Sequence, residues 1–61
     1  MRVWLKDARV AAKMTLKELS NATGVSFQAL AYYEAGLRTP KPQTAKKIAA
    51  ILGFYWTRFY D

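Results

Sequence analysis

Between Thr15 and Ser26 the chain carries a helix start, a helix stop and a second helix start with almost nothing between them. Thr15 offers a side-chain oxygen as an N-cap. Glu18, three residues on, completes a capping box, which predicts a helix from Leu16 to about Ala22. Thr23-Gly24-Val25 breaks that helix, with Gly24 where a left-handed C-cap is needed and a residue without Cβ adopts it most easily. Ser26 then caps a further helix that closes at Ala35-Gly36, with Leu30 and Tyr33 three apart on the face that returns to the core. Leu19 and Ala22 are expected to point inward from the preceding helix.

The rest of the chain has the same period. Strict alternation of apolar and polar residues is nearly absent, whereas three- and four-residue spacing recurs, so helices are expected throughout and strands are not. A first helix should run from about Val3 to Lys13, with Leu5, Ala8 and Ala12 inward. Leu37-Arg38-Thr39-Pro40-Lys41-Pro42 reads as an ordered loop, with Pro42 suited to the first position of a helix. That helix spans Pro42 to Leu52, buries Ala45, Ile48, Ala49 and Leu52, and stops at Gly53. Phe54 to Asp61 holds much of the aromatic content and is expected to make one short turn or helix that closes the core. The expectation is a single all-α domain over residues 1–61, with no linker and no internal repeat.

Composition narrows the function. The chain contains no Cys and no His. A disulfide is therefore excluded, as is a thiolate or imidazole metal site, and stability must come from helix packing. No cofactor or small-molecule substrate is suggested. The carboxylates are only Asp7, Glu18, Glu34 and Asp61, and Glu18 and Glu34 already have structural duties, so an enzyme is not expected. No apolar run is long enough to span a bilayer and no signal peptide is visible, which predicts an intracellular, cytoplasmic protein. Ten Lys and Arg against four acidic residues give a formal charge of +6. On so small a surface such a charge attracts polyanions, nucleic acid first among them.

The stretch from Leu16 to Tyr33 has the layout of a helix-turn-helix, two helices meeting steeply across a tight turn. Leu19, Val25, Leu30 and Tyr33 supply the contacts between them, the small Ser20 allows close approach, and Gly24 permits the turn. In sequence, Met14-Thr15-Leu16-Lys17-Glu18-Leu19, Gly24-Val25-Ser26, Glu34-Ala35-Gly36-Leu37-Arg38-Thr39-Pro40 and Ile48-Ala49-Ala50-Ile51-Leu52-Gly53 resemble the Cro/repressor, or Xre, family of phage and bacterial regulators. The resemblance covers nearly the whole chain, in order and with spacing preserved. It implies a compact five-helix, lambda-repressor-like domain that binds a double-stranded DNA operator as a dimer, with its third helix in the major groove.

Site residues follow from that resemblance position by position. Ser26, Phe27 and Gln28 at the start of the third helix should face the groove, with Tyr32 one turn further along. Gln28 has the amide chemistry to pair with N6 and N7 of adenine; Phe27 could touch a thymine methyl or instead pack on Lys17 or Leu16, and Tyr32 could equally contact a phosphate. Lys17, Arg38 and Lys41 are placed for phosphates, helped by backbone amides at the starts of the second and fourth helices. Lys46 and Lys47 read as a solvated face. At Leu16 many members of the family carry a Gln that touches phosphate and braces the reading helix; leucine offers no such group. Arg9 and Glu34 match a structural ion pair joining the first helix to the end of the third. Tyr55, Trp56 and Tyr60, a surplus of rings for so small a core, are candidates for a weak homodimer contact, with packing of Trp56 on Trp4 or Leu5 as the alternative. Occupancy of an operator, most simply as a repressor, is the expected mechanism. The rival reading is a protein-interaction module of antirepressor or antitoxin-like type that keeps the fold.

Overall fold

The computed structural model describes residues 1–61 and folds them into four α-helices and a closing 3₁₀ turn. These are α1 (Val3–Ala11), α2 (Leu16–Thr23), α3 (Phe27–Ala35), α4 (Pro42–Leu52) and the turn Trp56–Tyr60. The last of the five elements implied by the resemblance is thus a 3₁₀ turn rather than an α-helix. No helix is long and apolar enough to cross a membrane.

Each element contributes to one core. Leu5 of α1, Leu19 of α2, Leu30 of α3, Ala45 and Ile48 of α4 and Phe59 of the closing turn are buried together. Burying a side chain of leucine size contributes about 1.5–3 kcal/mol. A domain of this size holds roughly 3–9 kcal/mol in all, so each of the five larger side chains, Leu5, Leu19, Leu30, Ile48 and Phe59, carries a large share of the net stability. Trp4, Phe54 and Phe59 close the core from below as a three-ring cluster, with centroids 5.1 to 5.5 Å apart and rings steeply inclined to one another. Inclined contacts suit aromatic quadrupoles, positive edge against negative face.

Caps set the helix boundaries. At α2 the Thr15 hydroxyl accepts from the Glu18 amide at 3.1 Å and the Glu18 carboxylate accepts from the Thr15 amide at 2.9 Å, the reciprocal box expected from sequence. At α3 the Ser26 hydroxyl accepts from the Ala29 amide. Gly24, Gly36 and Gly53 end α2, α3 and α4, all with positive φ.

The structure corrects two details. α1 ends at Ala11, two residues before the expected Lys13. Lys13 takes the left-handed conformation, at φ 59°, and the amides of Lys13 and Met14 donate to the carbonyls of Val10 and Arg9. That is a Schellman ending with lysine where glycine usually stands. Ala12, expected inward, lies beyond the helix and is exposed. In α2 the inward partner of Leu19 is Thr23, not the exposed Ala22. Four residues complete slightly more than a turn and keep the face, whereas three fall short of it. Burial of Thr23 is tolerated because its hydroxyl donates to the Leu19 carbonyl at 2.8 Å and accepts from the Val25 amide at 3.2 Å.

Candidate nucleic-acid interface

The turn between α2 and α3 fixes how α3 is presented. Besides the Thr23 bridge, the Ser20 hydroxyl donates to the Val25 carbonyl at 2.6 Å. Both side chains sew the turn to the last residues of α2, so the small residue at Ser20 is a donor as well as a spacer. With Leu30 buried and Tyr33 half-buried against the core, the opposite side of α3 is left outward. Ser26, Phe27 and Gln28 are all exposed on its first turn. Phe27 keeps 54% of its surface accessible, a large apolar group outside the core cluster. Tyr32, four residues after Gln28 and on the same face, is half-buried. Its hydroxyl accepts a hydrogen bond from Gln28 Nε2 at 3.1 Å.

The three basic residues expected at phosphates are all accessible. Lys17 is exposed on the first turn of α2, Arg38 is exposed in the loop after α3, and Lys41 is exposed at the N-cap of α4. The Arg38 guanidinium lies over the Tyr32 ring, 5.2 Å from its centroid. The two helix starts named with these cations differ. At α2 the capping box already engages the Glu18 amide and sets a carboxylate beside it. At α4 Lys41 provides no side-chain cap and Pro42 occupies the first position, so the following amides carry the helix-dipole field with no anionic group of the chain in the first turn. Lys46 and Lys47 are exposed on α4, Lys46 with its ammonium 5.0 Å from the centre of the Trp56 ring.

Arg9 and Glu34 meet as a two-point ion pair, Nε to Oε2 at 2.7 Å and Nη2 to Oε1 at 3.3 Å. The remaining Arg9 nitrogen, Nη1, donates to the Met14 carbonyl at 2.8 Å, so one guanidinium joins α1, the α1–α2 turn and the end of α3. Arg2, which sequence reasoning passed over, does comparable work at the same end of α3. Its guanidinium donates to the carbonyls of Tyr33 and Arg38 and to the Thr39 hydroxyl, its backbone amide donates to the Glu34 carbonyl, and it lies over Phe59. It holds the C-terminal end of α3 and the loop that carries Arg38.

The three tail aromatics differ in exposure. Tyr55 is 87% exposed and Tyr60 46% exposed. The Tyr60 hydroxyl donates to the Pro40 carbonyl at 2.6 Å, tying the closing turn to the loop before α4. Trp56 is half-buried, packed against the core and in edge contact with Tyr60. Trp4, not Trp56, joins the aromatic cluster with Phe54 and Phe59. No three carboxylates gather where a metal ion could be held.

An all-helical domain with a capped, glycine-broken helix pair and an outward second helix is a helix-turn-helix domain. The family model described as "Helix-turn-helix" matches residues 5–59. The chain belongs to this family, of the Cro/repressor type, whose members are DNA-binding transcription regulators. It is 36% identical over 61 residues to the HTH-type transcriptional regulator YqaF of Bacillus subtilis strain 168, an alignment that covers the whole chain and 80% of that protein. It is 43% identical over 49 residues to the HTH-type transcriptional regulator RghRB of the same organism, covering 79% of the chain and 35% of RghRB. The chain thus spans four-fifths of one relative and about a third of the other. No solved structure matches it.

Proposed function

We propose that this protein is a sequence-specific regulator that lays the first turn of α3 in the major groove of an operator and represses by occupying it. The observation that carries this reading is the outward first turn of α3. Ser26, Phe27 and Gln28 are exposed together there, on a helix whose other side is fixed to the core by Leu30 and Tyr33. A hydroxyl, a ring and an amide can address base edges and thymine methyls in the groove, and Tyr32 extends that surface by a turn. Lys17, Arg38 and Lys41 supply the sequence-independent part of the affinity by neutralising phosphates. The protein acts as a weak symmetric homodimer on a two-part site, with Tyr55 the most exposed of the tail rings and Trp56 and Tyr60 beside it. Two recognition helices so related read half-sites about one DNA turn apart.

Selection of bound duplexes from a random pool tests this directly. The expected product is a palindromic site with half-sites about 10 base pairs apart, centre to centre, and Gln28→Ala should relax one position in each half. Binding of all duplexes alike at physiological salt, with no site enriched, would refute the sequence-reading role.

A further inference from the structure

Gln28, Tyr32 and Arg38 form a connected set on the exposed side of α3, and the connection runs through Tyr32. Gln28 and Tyr32 are four residues apart on a helix, hence neighbours on one face. Gln28 Nε2 donates to the Tyr32 hydroxyl at 3.1 Å, and the Arg38 guanidinium covers the Tyr32 ring at 5.2 Å. The backbone makes this proximity systematic. The Leu37 amide donates to the Tyr32 carbonyl at 3.0 Å, so the chain leaving α3 turns back over Tyr32 and delivers Arg38 to it. Arg2 Nη1 then holds the Arg38 carbonyl at 3.0 Å.

An unrestrained glutamine amide is ambiguous as a base reader. It has two N–H donors and a carbonyl with two lone pairs. It can offer one donor and one acceptor to adenine, which shows N7 and the N6 amino group in the major groove, or two donors to guanine, which shows N7 and O6. A neighbour that engages one N–H removes the second option. One N–H and the carbonyl oxygen remain, and that pair complements adenine alone.

We infer that Tyr32 is a positioning residue that makes Gln28 an adenine reader, while its ring holds Arg38 toward the backbone of the same duplex. This rests on the reading of α3 given above. The hydroxyl governs base choice through Gln28, and the ring face governs general affinity through Arg38. The two roles separate by substitution: Tyr32→Phe keeps the ring and removes the hydroxyl, and Tyr32→Leu removes both.

The test uses the full chain on its selected operator, with adenine or guanine placed at the Gln28-dependent position, and far-UV circular dichroism to establish that each variant is folded. The unmodified protein should favour adenine by about tenfold or more. Replacing that adenine with 7-deazaadenine, which lacks N7, should remove most of this preference. Tyr32→Phe should bring the adenine-to-guanine ratio to about threefold or below, through tighter binding of guanine as well as weaker binding of adenine, with salt dependence unchanged. Tyr32→Leu should in addition weaken binding to all duplexes and reduce the slope of log K against log salt by up to about one unit. A Tyr32→Phe variant that keeps the full adenine preference, at a position that Gln28→Ala does relax, overturns the role of Tyr32 and leaves the reading of α3 standing. If Gln28→Ala relaxes no position at all, both fall together.

Discussion

Removing one partner of the Arg9–Glu34 pair should destabilise this domain more than most other polar substitutions. Glu34→Gln keeps the side-chain shape and takes away its charge, leaving the Arg9 guanidinium with the Met14 carbonyl and a neutral amide. The side chains of Arg9 and Glu34 keep only 13% and 10% of their exposure, so little water can compensate. Breaking one side of a buried pair typically costs about 3–5 kcal/mol. The residual access argues for the lower end, about 3 kcal/mol, against roughly 3–9 kcal/mol available to a chain of this length. One kcal/mol moves the midpoint of so small a domain by about 4–8 °C, so Tm should fall by at least about 12 °C. Replacing both partners, Arg9→Met with Glu34→Leu, should return the stability to within about 2 kcal/mol of the parent, since no charge is left stranded and only the Met14 carbonyl loses its donor. Urea unfolding followed by far-UV circular dichroism, with Trp4 and Trp56 fluorescence as a second probe of two-state behaviour, measures all of this. A loss below about 1 kcal/mol for Glu34→Gln would put the pair in the class of exposed salt bridges and refute the reasoning.

Other substitutions probe the helix ends and the interface. Lys13→Gly should stabilise the fold by about 0.5–1 kcal/mol, because relief of left-handed strain exceeds the added freedom of the unfolded chain; a lower urea midpoint would contradict this. Gly24→Ala should destabilise by about 1 kcal/mol from backbone conformation alone, since a Cβ there meets no atom within 4 Å. Arg38→Ala should weaken binding to specific and random duplexes alike and lower the salt slope by about 0.9, read by fluorescence anisotropy from about 50 to 200 mM salt. Tyr55→Ser should leave the urea midpoint unchanged and abolish cooperative filling of a two-part operator, and unchanged cooperativity would remove Tyr55 from the dimer contact.

What the residues by themselves revealed was local, and the one distant contact expected, Arg9 with Glu34, came from the family resemblance. Thr15, Glu18, Ser26 and Gly24 act within a few residues of themselves, and the helices they bound appear where their chemistry requires. The stop of α1 was hidden because Lys13 carries no sign of a left-handed residue. Its conformation is stabilised by the Schellman bonds and by Arg9 Nη1 on the Met14 carbonyl, a partner that no periodicity reveals. Thr23 had a weaker local signal, a hydroxyl beside a helix-ending glycine, and an i+4 count from Leu19 would have found it. Arg2 had none, since the groups it binds lie 31 to 37 positions away. The aromatic cluster was illegible for the same reason: which ring of the tail meets Trp4 depends on how α1 and the closing turn dock. At the candidate interface the exposed first turn of α3 was implied by the family resemblance, and the inward placement of Leu30 and Tyr33 separated Tyr32 from the core. The bond from Gln28 to Tyr32 was not legible, because it depends on rotamers.

The two hydroxyls that stitch the turn between α2 and α3 also bear on the kinetics of binding. Ser20 and Thr23 hold Val25 by both its carbonyl and its amide, so the relative placement of the two helices is set before any duplex arrives. A body that needs no refolding at its contact surface loses little chain entropy on docking and has no slow rearrangement to wait for. Association is then governed by diffusion and by the attraction of a +6 chain to a polyanion, nearly the same for every duplex at a given salt. On the proposed reading of α3, discrimination between sites has to appear in how long the protein stays, and right and wrong sequences should differ in dissociation rate far more than in association rate.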